Sequence, residues 1–275
     1  MTMQSLSDIR TFQSLSTEAR GELAEAVAAR LGPEFAPEEQ EEGVCALLFR
    51  HLTSGLVLAL VPGGGFEMGL TGADIAELRD FLQSEDLMRE ALEGATSEML
   101  PAHRVEVAPF LIARELLGAA EVERLSNLRF KGPNCSMLHR DEARDLARSL
   151  GFRLVSEAEL EWIQREGGTC SFTLDAARKL EEIGRDSTLL TSRLGIVELF
   201  DEQWVEDDYH ATYDGAPSTS SPWMDGDPAG VFRGGSGPEY VDEPQQVVGI
   251  LAAMRGNGAM AQARIRLALD IASLL

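Results

Sequence analysis

Cysteine is scarce in this chain. Cys45, Cys135 and Cys170 make an odd number with no C-x-x-C spacing, so reduced thiols are expected and not a disulfide framework. Positive charge is also short, with 24 Lys and Arg against 46 Asp and Glu and a net charge of −22. Nucleic acid is therefore not an expected partner, because phosphate binding needs clustered Lys and Arg. An anionic membrane would repel the same surface. A basic protein or peptide, or a hard cation, would be attracted. No run of 18 apolar residues occurs, and the opening MTMQSLSDIR has no apolar core of signal-peptide length. The expected location is cytoplasmic.

A chain of 275 residues with 44% hydrophobic content can bury a substantial core as one large domain or two small ones. Ser16 to Leu31 reads as a helix, with Ser16 as cap, Leu23, Val27 and Leu31 as one stripe, and Gly32-Pro33 as stop. Glu34–Gly43 reads as an acidic linker. The apolar runs Cys45–Leu52 and Leu56–Val61, separated by Thr53-Ser54-Gly55, predict a β-hairpin. Pro62-Gly63-Gly64-Gly65 then turns into a short strand at Phe66–Met68.

Further on, Ala73–Leu92 has the pattern of an amphipathic surface helix, and His103–Phe110 alternates as a strand. Helices are expected at Ala119–Leu125, Arg140–Leu150 and Thr173–Ile183. Ile265, Leu267, Leu269 and Ile271 alternate as a closing strand. The most informative stretch is Arg153–Gly168, RLVSEAELEWIQREGG. There Ser156 and Glu159 form an S-x-x-E capping box, with Leu160 and Ile163 continuing an apolar stripe. The expected organisation is α+β, with a helical N-terminal extension over 1–43, a main domain over 44–275 and a helical insertion at 72–98.

Several segments, in order, carry a resemblance. They are VPGGGFEMG (Val61–Gly69), PAHRVEVAPFLIAR (Pro101–Arg114), HRDEARDLARSLGFRLVSEAELEWIQREGG (His139–Gly168), LGIVELFDEQW (Leu194–Trp204), VFRGGSG (Val231–Gly237) and ARIRLALDI (Ala263–Ile271). Together they resemble the formylglycine-generating, sulfatase-modifying-factor family. The resemblance implies an irregular C-type-lectin-like fold. Val155 stands where that family usually has Pro, and Leu160 replaces its aromatic, with Trp162 two residues later.

The family's oxygen-dependent enzymes hold copper(I) on a cysteine pair just after R-G-G-S, since soft thiolates suit that ion. Here GPEYVDEPQQ follows Ser236, and no cysteine occurs after Cys170. A sister branch holds iron on three histidines. This chain has only His51, His103, His139 and His210, and no H-x-x-x-H-x-E. Iron and copper are therefore not expected, and no catalytic residue is assigned. The family also uses calcium as a structural staple, and the Asp201–Asp214 segment is rich in the oxygen donors calcium takes. The weak metal candidates are His139, His210, Asp201, Glu206 and Asp208.

In the family the R-G-G-S turn borders the active-site groove. Alternatively, Arg233 is paired to a buried carboxylate at the fold's central crossing. Trp204, Tyr209, Tyr213, Trp223, Arg233, Ser236 and Tyr240 form the expected ligand-binding set, and the aromatics read equally as local core. The resemblance then implies a pseudoenzyme: a degenerate family member acting as a peptide- or protein-binding accessory factor beside peptide-modifying enzymes of natural-product maturation. A basic partner is favoured by the charge, and an oligomer is compatible with the N-terminal helix. The alternatives are a metal-dependent oxidoreductase with a rearranged site, and a structural subunit.

Overall fold

The structure, a computed structural model, describes residues 3–39, 45–82, 84, 86, 89, 95–130, 137–169, 192–199, 201–234, 256–259 and 261–274. The chain opens with helices α1 (Ile9–Gln13) and α2 (Thr17–Leu31). Asp8 caps α1 by accepting from the amides of Arg10 and Thr11, and Ser16 caps α2 by accepting from Ala19. Each cap satisfies amides that the first turn leaves open. Leu23 and Val27 are buried as the α2 stripe requires, and they join Leu6, Ile9 and Phe12 in the single large core cluster.

The main sheet has six strands in the order β1-β2-β3-β6-β11-β7, and every pairing in it is antiparallel. Its members are β1 (Phe35–Pro37), β2 (Leu48–His51), β3 (Val57–Val61), β6 (Phe110–Ala113), β7 (Arg153–Leu154) and β11 (Leu267–Asp270). The fold is α+β. Strands β2 and β3 form the expected hairpin. Strand β1 corrects the reading of Glu34–Gly43 as a linker, because Phe35, Ala36 and Pro37 pair with His51, Arg50 and Phe49.

The alternation over His103–Phe110 resolves into two strands in different sheets. β5 (His103–Val107) pairs with β4 (Gly64–Met68), whereas β6 crosses into the main sheet between β3 and β11. Pro109, which has no amide to donate, stands at the crossing. A further three-stranded sheet runs β10 (Gly256–Asn257), β9 (Val231–Arg233), β8 (Gln203–Trp204).

Four more α-helices follow among the described residues: α3 (Gly72–Leu82), α4 (Ala119–Leu125), α5 (Arg140–Ser149) and α6 (Glu157–Gln164). The expected helix over Ala73–Leu92 is seen as α3, and most of its second half lies outside the described residues. Thr173–Ile183 lies wholly outside them, as do Cys135 and Cys170. No helix among the described residues is long and apolar enough to cross a membrane.

Candidate functional site: a groove along a strand edge

Helix α6 is buried along its whole length, with none of its eight residues exposed. Its capping box forms as the sequence predicts. Ser156 Oγ accepts from the Glu159 amide at 3.1 Å, and Glu159 Oε2 accepts from the Ser156 amide at 2.9 Å. Burying a helix that carries three glutamates requires a cationic partner for each. Arg153 holds Glu159 through two hydrogen bonds of 2.7 and 2.8 Å. Arg233 donates to Glu157 at 2.7 Å and to Glu161 at 3.1 Å, and Arg165 donates to Glu161 at 2.9 Å. Tyr213 joins the cluster, its hydroxyl donating to Glu157 and accepting from Arg233.

Burial by itself would lower the Arg233 pKa. Tyr213 and the carboxylates of Glu157 and Glu161 outweigh that effect and hold it above its ordinary value. Asp207 shows the opposite balance. Burial, reinforced by the charge of Glu157, pushes its carboxyl up to about 7, although it accepts from the amides of Glu157 and Trp223.

On one side of α6 lies an open groove of about 810 Å³, within the size range of small-ligand and peptide-segment sites. The β4–β5 sheet forms one wall, with Phe66, Val105 and Val107 turned to the core and Glu67, Arg104 and Glu106 exposed. Gly64 has φ 148, and a Cβ there would stand 2.9 Å from the Trp162 ring. Only glycine lets this strand lie directly on α6. A Cβ on Gly65 would run into the exposed side-chain ends of Arg104 and Glu106, which pair at 3.1 Å. Arg165 and Asp74 form the buried end of the groove. Arg165 donates to both Asp74 oxygens, at 3.2 and 3.1 Å.

Hydrogen bonding shows which way the backbone of this strand pair faces. Gly65 lies opposite Glu106 in the register. The Glu106 amide donates to Ser218 at 2.9 Å, and its carbonyl accepts from Ser220 at 3.0 Å. Glu106 therefore points away from β4, and Gly65–Glu106 is a non-hydrogen-bonded pair of the antiparallel ladder. It follows that Gly63, Gly65, Glu67 and Gly69 face the outer edge of β4. The two ends of that edge are occupied. Gly63 donates to the Leu6 carbonyl at 2.7 Å, and Gly69 donates to Glu161 and accepts from Arg165 at 2.7 and 2.6 Å. Between them Gly65 and Glu67, both in the groove wall, have no backbone partner among the described residues.

The described members of the expected ligand-binding set do not line this groove. Trp204 has no exposed surface, and its indole donates to the Leu138 carbonyl at 2.7 Å. Arg233 is equally buried and lies behind the groove, sharing Glu161 with Arg165. The reading of Arg233 as partner to a buried carboxylate holds. Tyr213 is core, whereas Tyr209 and Trp223 are half-buried, and Trp223 stacks on His210 with ring centroids 3.5 Å apart. Tyr213 and Trp223 border a crevice of about 10 Å³ beside Glu157 and Asp207, room for about one water. Ser236 and Tyr240 lie outside the described residues.

The weak metal candidates do not converge among the described residues. Asp201 pairs with Arg264, Glu206 with Arg144 and Asp208 with Arg140, while His139 bonds Gln262 and His210 lies on Trp223. These oxygens engage guanidinium groups, an arrangement that does not fit a calcium staple. The copper(I) pair has no counterpart in the sequence after Cys170, so the residues do not fit that ion either. The sequence reading missed Asp74, Glu157, Glu161, Arg165 and the β4 edge. Of these, only the Glu161–Arg165 pair carried a local signal, at i,i+4 on one helix.

No family model matches this chain, and no curated protein matches it. Among solved structures it is similar to PvdO from Pseudomonas aeruginosa, with a TM-score of 0.59 and 19% sequence identity over 84% of this chain and 100% of that one. At that identity the likeness is one of fold.

Proposed function

We propose that this chain is a peptide- or protein-binding accessory factor on a formylglycine-generating-enzyme-like scaffold, serving beside peptide-modifying enzymes of natural-product maturation. The observation that carries this reading is the open groove of about 810 Å³. Its wall is a strand with two glycines in succession, Gly64 and Gly65, which lets another backbone approach closely. Its floor is fixed by Trp162 and by ion pairs that are already satisfied. A rigid support with an accessible wall suits recognition of an extended segment, because little is left to order on binding. The likeness in fold to PvdO is compatible with this reading. The formylglycine-generating resemblance of the sequence supplies the peptide as substrate class, and fold alone would not.

The test is selection from a random peptide display library on the full chain, followed by affinity measurements on the wild type and on Gly65→Tyr. The new side chain displaces the exposed ends of Arg104 and Glu106 and obstructs the groove. Enriched peptides that bind the wild type and lose about tenfold or more on Gly65→Tyr, a loss of ~1.4 kcal/mol, are expected. No enrichment, or enrichment indifferent to Gly65→Tyr, contradicts the proposal.

A further inference from the structure

We infer that the groove binds its partner by strand addition: an extended, basic segment pairs with the outer edge of β4 at Gly65 and Glu67. This rests on the peptide-binding reading above and specifies its mode and its ligand. An unpaired edge presents a row of amides and carbonyls that an extended chain can complete. Here the row has defined ends, because Leu6 closes it at Gly63 and the Glu161 and Arg165 side chains close it at Gly69. Among the described residues the open part holds two outward-facing residues and therefore four hydrogen-bonding groups. A segment of roughly three to five residues, at about 3.3 Å per residue, spans it.

Charge selects the occupant. Each groove arginine has a carboxylate neighbour: Arg104 has Glu106, Arg165 has Asp74, and Arg10 lies close enough to Asp8 to help lower its pKa, an effect led by the Thr11 hydroxyl. Glu67 is exposed in the middle of the edge and has no ion pair among the described residues. The chain around it carries a net charge of −22. An incoming strand with Arg or Lys at the position beside Glu67 would place opposite charges side by side on one face of the extended sheet.

The test uses the full chain and an acetylated, amidated heptapeptide of alternating arginine and valine, with its glutamate–valine counterpart as control. Affinities are measured for the plain peptide and for two N-methylated versions, one blocking the odd amides and one the even. Strand addition predicts that one version loses about tenfold or more while the other stays within about twofold, because alternate amides of a strand face its partner. Glu67→Pro, which deletes an edge amide that has no partner among the described residues, is expected to weaken the plain peptide by a similar factor. Glu67→Ala keeps the amide and is expected to lose less.

Binding that both N-methylated versions retain, or that both lose equally, overturns strand addition. Tighter binding of the glutamate peptide overturns the basic ligand. If display selection yields peptides dependent on Gly65 yet the arginine–valine peptide does not bind, this inference fails and the peptide-binding proposal stands. If selection yields nothing either, both fail.

Discussion

Gly65 and Glu106 face each other across one two-stranded sheet, yet their outward backbone groups have opposite fates. Those of Glu106 are completed by Ser218 and Ser220, and the next outward residue, Ala108, donates to Ser220 Oγ. Those of Gly65 and of the next outward residue, Glu67, face the groove. A loop covers one edge at its midpoint, while the other, among the described residues, is left open between two stops. The difference shows that edge protection in this fold is local. Proteins commonly guard an exposed edge with a charge that discourages self-pairing. Glu67 can do that here, repelling other acidic chains while admitting a basic one.

The comparison breaks most severely when its foundation is removed. Arg233→Ala leaves Glu157 and Glu161 buried without their shared cation. It is expected to cost about 3–5 kcal/mol, readable as a lower urea midpoint. Removing the cover from β5 comes next. Ser220→Pro deletes the amide that donates to Glu106 and is expected to cost about 1–3 kcal/mol by thermal or chemical denaturation, the penalty of an unmade hydrogen bond.

A third test reads pH. The Asp207 carboxyl is pushed up to about 7 in the folded chain from an ordinary 3.8. Between those values the folded protein retains a proton that the unfolded chain releases. The stabilisation from this group is full below pH ~4 and is lost as pH rises through ~7. Asp207→Asn cannot accept from both amides as a carboxyl does, so it is less stable throughout. Its deficit relative to wild type should nonetheless shrink from pH 5 to pH 8, as melting temperatures would show. The smallest effect is expected at the open edge: Glu67→Ala should change stability by no more than about 0.5 kcal/mol, because the side chain is exposed and makes no ion pair among the described residues. A large loss there would mean that the edge is already occupied.

Much of the fold was legible because its signals are local. The caps at Ser16 and Ser156 each satisfy an amide three residues away. The β2–β3 hairpin follows from two apolar runs around a turn. The site was less legible, since its links are long. Arg233 meets Glu157 and Glu161 across 76 and 72 residues, and Arg165 meets Asp74 across 91. Residue type did not separate Trp204 from Trp223. The first carries its indole to a core carbonyl and the second stacks on a half-buried histidine, a difference set by tertiary packing. The open edge had no sequence signal at all, because a strand is an edge only by virtue of what fails to lie beside it.

The most direct test is amide hydrogen exchange, resolved by residue, on the protein alone and with the arginine–valine peptide. In the free protein the amides of Gly65 and Glu67 should exchange quickly, while those of Phe66 and Glu106, one in the ladder and the other bonded to Ser218, should be protected. The peptide should slow Gly65 and Glu67 and leave the other two as they were. Protection of Gly65 and Glu67 before any peptide is added would contradict the account.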